Sequence, residues 1–147
     1  MKDIPVPDDA SAPIATPSDL TDIYRLLLGH VPEHIERRWA TEARLGRENT
    51  GKAIELLRRQ CIAENPLGLK VQQIVQFGQL LALLREPEAT RHAIAALRAG
   101  ASFSDLAGAA ESGLIVAGMQ AYSLGLRIID KLAAEADAAS EAGRPAA

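Results

Sequence analysis

The spacing of apolar residues between the breaks set by proline and glycine limits the fold most. It is helical nearly throughout, with almost no strand-like alternation of β-branched or aromatic residues. Ser18 is placed to cap a first helix with Leu20, Ile23, Leu27 and Leu28 on one face, and Gly29 ends it. Pro32 opens a second helix, with Ile35 and Trp39 toward the core and Gly46 as its stop. Thr50 starts a third, in which Ile54, Leu57 and Cys61 make the apolar face, before Pro66 and Gly68 break the chain again. The fourth, about Leu67 to Leu84, places Gln72, Gln76 and Gln79 on one narrow polar stripe. Val71, Ile74, Val75, Phe77, Leu80, Leu81 and Leu84 fill the rest of its circumference, as suits a central helix or a subunit contact. Gln73 leaves the stripe and projects among Leu69, Phe77, Leu80 and Leu84, where an unpaired amide would cost about 1–3 kcal/mol.

Pro87 opens a fifth helix that Gly100 closes. Ser102 and Asp105 then form a capping-box pattern for a sixth, which runs to about Ala117 and a break at Gly118. The last helix is expected to face inward with Met119, Tyr122, Leu126, Ile129 and Ala133. Gly108, Gly113 and Gly125 each cost a helix roughly 1 kcal/mol relative to alanine, and close approach of neighbouring helices is the expected return. The reading is all-α: a compact bundle of six to seven helices over residues 18–137. A flexible leader over 1–17, with Pro5, Pro7, Pro13 and Pro17, and a disordered tail over 138–147 flank it.

A chain of 147 residues buries about 70% of its unfolded surface, enough to fold without a disulfide or metal staple. Its net charge of −3 offers no basic excess for nucleic acid, and no apolar run is long enough to span a membrane. The first residues lack the apolar run of a secretory signal, so a cytoplasmic location is expected. Cys61 is the only cysteine, which rules out a two-cysteine redox cycle within one subunit, and its apolar face makes it a small buried hydrophobe. His30 and His34 stand four apart with Pro32 between them, and two histidines do not complete a metal site; no metal or cofactor is expected. The arginines and lysine from Arg37 to Arg59 alternate with glutamates, so they read as solvated helix faces. There is no phosphate-binding glycine loop and no Gly-x-Ser-x-Gly elbow.

Two positions remain as candidates for chemistry. His92 is flanked on its helix by Ala89, Ala96 and Ala99, a small-residue face that leaves room for another helix or for a ligand. Glu111 is the one full charge of the sixth helix after Asp105, a setting that calls for a basic partner or a raised pKa.

The stretch Arg91-His92-Ala-Ile-Ala-Ala-Leu-Arg-Ala-Gly100-Ala-Ser102, continued to Val116-Ala117-Gly118-Met119, resembles the carboxymuconolactone decarboxylase family, of alkylhydroperoxidase-D-like fold. The spacings from His92 to Gly100 and from Gly100 to Gly118 both fit, and Asn65-Pro66 to Leu84 is similar to the family's apolar helix before that histidine. The resemblance covers about Pro66 to Leu132. In the peroxidase branch a Cys-x-x-Cys pair precedes the histidine; its places fall on Arg85 and Glu88, and the branch's proton-relaying glutamate falls on Gln73. Arg, Glu and Gln support neither thiolate chemistry nor that relay, so peroxidase activity is disfavoured.

The decarboxylase branch keeps the histidine without the cysteines. The resemblance thus implies decarboxylation of a small lactone or carboxylic acid. Loss of CO₂ would leave an extended enolate, and a histidine of near-neutral pKa would protonate it. On this reading His92, Glu88 and Gln73 do the chemistry, while Arg85, Arg91, Glu111 and Tyr122 bind the acidic substrate. The resemblance also implies a homo-oligomer, in keeping with the apolar helix over 67–84. The rival reading is a non-catalytic binding or interaction module on the same fold.

Overall fold

The computed structural model describes residues 21–142, and these form seven helices with no strand among them. They are α1 (Asp22–Leu28), α2 (Glu33–Arg44), α3 (Glu48–Ile62), α4 (Gly68–Ala82), α5 (Glu86–Arg98), α6 (Phe103–Ala117) and α7 (Met119–Ala142). Ser18, Leu20 and the leader over residues 1–17 lie outside the described residues; α7 continues through Ala142, past the start of the expected tail. None of the described helices is long and apolar enough to cross a membrane.

The breaks work as their chemistry requires. Gly29 ends α1 with φ of +81°, a conformation that costs glycine nothing, and its N–H bonds the Arg25 carbonyl. The capping box forms in full: Ser102 Oγ accepts from the Asp105 N–H at 3.0 Å, and Asp105 Oδ2 accepts from the Ser102 N–H at 2.8 Å. Lys70 at the start of α4 reaches the same carboxylate at 3.0 Å. The Ser102 N–H and the lysine together hold the Asp105 carboxyl down at about 2. The α4–α5 turn contains Leu84 at φ +54°, an uncommon conformation for a residue with a side chain.

Two apolar cores flank α5. The larger joins α4, α5, α6 and α7 around Phe77, Leu81 and Leu106, all fully buried and each worth about 2 kcal/mol of transfer from water. The smaller joins Ile23, Tyr24 and Leu27 of α1, Ile35 of α2 and Ile62 of α3 to Ala95 of α5. The α2–α3 hairpin therefore docks on one side of α5 and the four-helix bundle is built on the other.

The inward faces differ from the expected ones in three helices, and in α7 and α3 small side chains, not large ones, set the contacts. In α7 the buried set is Ala121, Leu124, Gly125, Ile128 and Leu132, while Met119 and Leu126 are exposed and Tyr122, Ile129 and Ala133 sit at the edge. Gly125 fixes this rotation, because a Cβ there would lie 2.6 Å from the Ala110 Cβ and 2.9 Å from Leu81 Cδ1. Gly113 is in ordinary contact with Ala121, and Gly108 has open space beside it, so close approach explains only part of the glycine content.

In α3 the buried stripe is Gly51, Glu55 and Ile62, and Ile54, Leu57 and Cys61 face outward, with Leu57 61% exposed. Cys61 is thus not the buried hydrophobe that its neighbours suggest. In α4 Gln72 is buried beside Gln73, whereas Val71 and Val75 are 45% and 41% exposed. Gln72 of the stripe faces inward, where its Oε1 accepts from the Gln73 amide, while Gln79 is exposed.

Candidate functional site

A cavity of about 130 Å³ opens where α1, α2, α3, α4 and α5 meet. Tyr24, Leu27 and Leu28 of α1, Pro32, His34 and Ile35 of α2, Arg58 of α3 and Gln73 of α4 line it, with Glu88, Arg91, His92 and Ala95 of α5. An apolar cavity of about 150 Å³ accepts benzene, so this one has the scale of a single small ring.

Its centre is an amide–imidazole relay. His92 Nδ1 lies 2.7 Å from Gln73 Oε1, and Gln73 Nε2 donates to Gln72 Oε1 at 2.5 Å. Gln73 Oε1 can only accept, so the proton of the neutral imidazole is on Nδ1 and Nε2 keeps its lone pair. Burial lowers the imidazole pKa, and the Arg58 and Arg91 guanidinium groups lower it further, to about 4. At neutral pH His92 is an acceptor at Nε2, not the near-neutral acid that the family resemblance implies. The relay also answers where the buried amide of Gln73, with none of its surface exposed, finds its hydrogen bonds.

Charge reaches the cavity from two sides. On α5, Glu88 stands between two arginines: Oε1 is 3.4 Å from Arg91 and Oε2 is 3.7 Å from Arg85. Helical spacing accounts for the grouping, since Arg85 at the cap of α5, Glu88 and Arg91 follow at intervals of three. On α3, Glu55 is fully buried and forms an ion pair with Arg38 of α2. It also accepts a 2.9 Å bond from the Tyr24 hydroxyl and lies 3.7 Å from Arg58 Nε. The Arg58 guanidinium sits 5.1 Å above the Tyr24 ring, at cation–π distance. Burial raises the Tyr24 pKa, and the Glu55 carboxylate adds to the effect, so the phenol keeps its proton and donates.

Of the residues singled out in sequence, Gln73, Glu88, Arg91 and His92 come together here. Arg85 does not line the cavity; its side chain is 64% exposed and meets Glu88 from outside. Glu111 is exposed on α6, and Tyr122 packs at the edge of the larger core; neither lines the cavity. His30 bonds the Leu28 carbonyl while His34 lines the cavity, so this pair does not act together.

The sequence reading missed Tyr24, Glu55 and Arg58, because regular alternation of charge passes for a solvated surface. A signal was present in Gly51, Glu55, Arg58 and Ile62, which recur at i, i+4, i+7 and i+11 and so share one face of α3. Comparison with protein-family models, with curated proteins and with solved structures finds no match to this chain.

Proposed function

We propose that this cavity binds a small carboxylic acid, with lactone acids of the carboxymuconolactone type as the leading class, and that His92 carries the proton of a decarboxylation. The observation that supports the reading is one arrangement: a neutral imidazole fixed by Gln73, in a ring-sized cavity that two guanidinium groups line. Arg91 offers a carboxylate the planar, charge-assisted donors of its fork, with Glu88 holding it from the other side.

The lowered pKa sets the order of events. An anionic substrate offsets the positive field of Arg58 and Arg91, which raises the imidazole pKa and lets His92 take up a proton at Nε2. As the carbon–carbon bond to the carboxylate breaks and CO₂ departs, the electron pair remains as an enolate conjugated with the lactone. His92 Nε2–H then delivers its proton to the enolate carbon and returns to the neutral form. Gln73 stays on Nδ1 throughout and keeps the ring oriented.

The reading includes a homo-oligomer. Its support is the run of uncovered apolar side chains, with Val71 and Val75 on α4 and Ile115 and Val116 on α6.

The test is a thermal-shift screen of small lactones and of mono- and dicarboxylic acids on wild type, His92→Ala and Arg91→Gln. CO₂ release is then assayed with any compound that raises the wild-type midpoint. The expected result is a stabilising acid whose turnover is lost in His92→Ala. Unchanged binding and turnover in both variants would overturn the reading.

A further inference from the structure

We infer that Arg58, on the helix hairpin remote in sequence from the histidine, is the residue that receives the ligand's carboxylate, held ready for it by the buried Glu55. This rests on the small-acid reading of the cavity and adds the residue that selects the ligand and the element that supplies it.

Glu55 carries one negative charge, and two arginines converge on it, Arg38 in the closer ion pair and Arg58 at 3.7 Å. The Tyr24 hydroxyl occupies the same oxygen as Arg38, so the side of Glu55 opposite Arg58 is already saturated. Arg38 is also paired with Glu42 at 3.4 Å, which leaves Glu55 to be shared between the two arginines, and Arg58 is the member that lines the cavity. Its Nε, cut off from solvent, has no hydrogen-bond partner, and neither does Glu55 Oε2 facing it. Glu55 lies beside Nε at a distance too long for a hydrogen bond, so a carboxylate in the cavity supplies the guanidinium with a charge-assisted partner that Glu55 does not. Arg91, held by Glu88 at 3.4 Å, is the second guanidinium of the cavity and lies on α5, the same helix as the histidine.

Geometry favours Arg58 as well. The Tyr24 ring beneath the guanidinium and Glu55 beside it restrict where the group can sit, so little conformational freedom is lost when a carboxylate binds. The histidine and the anion receptor come from opposite sides of the cavity, α5 and α3, with the reacting molecule between them. A ligand held by both ties the α2–α3 hairpin to the bundle.

The test is isothermal titration of the full chain with acetate, 5-oxotetrahydrofuran-2-carboxylate and the uncharged γ-butyrolactone. Wild type, Arg58→Gln, Arg58→Lys and His92→Ala are compared, and amide hydrogen exchange is followed with and without the lactone acid. Wild type is expected to bind the lactone acid and not the uncharged lactone. Arg58→Gln should weaken that binding at least tenfold, and Arg58→Lys should restore part of it, since lysine keeps the charge but not the fork. His92→Ala should keep the affinity within a few-fold. In wild type the acid should slow exchange in α2 and α3, an effect that Arg58→Gln abolishes.

If the acid binds wild type and Arg58→Gln alike, with turnover still dependent on His92, this inference falls and the small-acid reading stands. If no acid binds wild type, both fall. Should Arg58→Gln fail to fold, Arg58→Lys decides: full wild-type affinity in that variant overturns the assignment.

Discussion

At the residue scale, His92 links the site to the stability of the whole chain. Unfolded, it takes up a proton near its ordinary value of 6.5; folded, only near 4, so between these values the unfolded state holds the extra proton. Its contribution is intact above pH 6.5 and is lost as the pH falls to 4, by up to about 3 kcal/mol. Urea unfolding at pH 7 and pH 5 should show a loss of about 2 kcal/mol in wild type beyond that in His92→Gln. An equal loss in both would place the pH dependence elsewhere. Leu84 makes the opposite kind of prediction. Its positive φ costs a side-chain-bearing residue about 1–2 kcal/mol, and its side chain is half exposed, so Leu84→Gly should raise the urea midpoint by about 1 kcal/mol in stability.

At the element scale, α6 and α7 carry glycines of opposite meaning. Gly125→Ala should destabilise by about 1–3 kcal/mol, because its methyl would collide with Ala110 and Leu81 in a packed core. Gly108→Ala meets open space and should stabilise by about 1 kcal/mol through helix propensity alone. Thermal unfolding of the two variants side by side checks the pair. The same contrast explains how much was legible beforehand. Helix boundaries were readable because Gly29, Gly100 and the Ser102–Asp105 box act locally, within a few residues. Facing was not, because rotation about a helix axis depends on which neighbour comes closest, and at Gly51 and Gly125 the missing side chain decides it. Gln73, Glu88, Arg91 and His92 were named together through the family resemblance, and they meet because α4 and α5 are consecutive and packed on each other. Arg58 and Glu55 were not, since only docking of the hairpin against α1 and α5 brings them to the cavity.

At the scale of the whole molecule, apolar surface remains uncovered: Ile115 and Val116 are 85% and 81% exposed. Light scattering should report a mass above the 15.7 kDa of one chain, and Val116→Glu should shift it toward that value. A monomeric wild type would remove the oligomer from the proposed function. The two cores are also unequal, and the smaller one meets the bundle through Ala95, with Leu69 beside it. Amides of α2 and α3 should therefore exchange faster than those of α4 and α5, through opening short of global unfolding. This layout sets synthesis against assembly. Ribosomes release α1, α2 and α3 before α5, yet the wall on which they settle belongs to α5. These helices must wait for α5, and the cavity stays open on that side until it arrives.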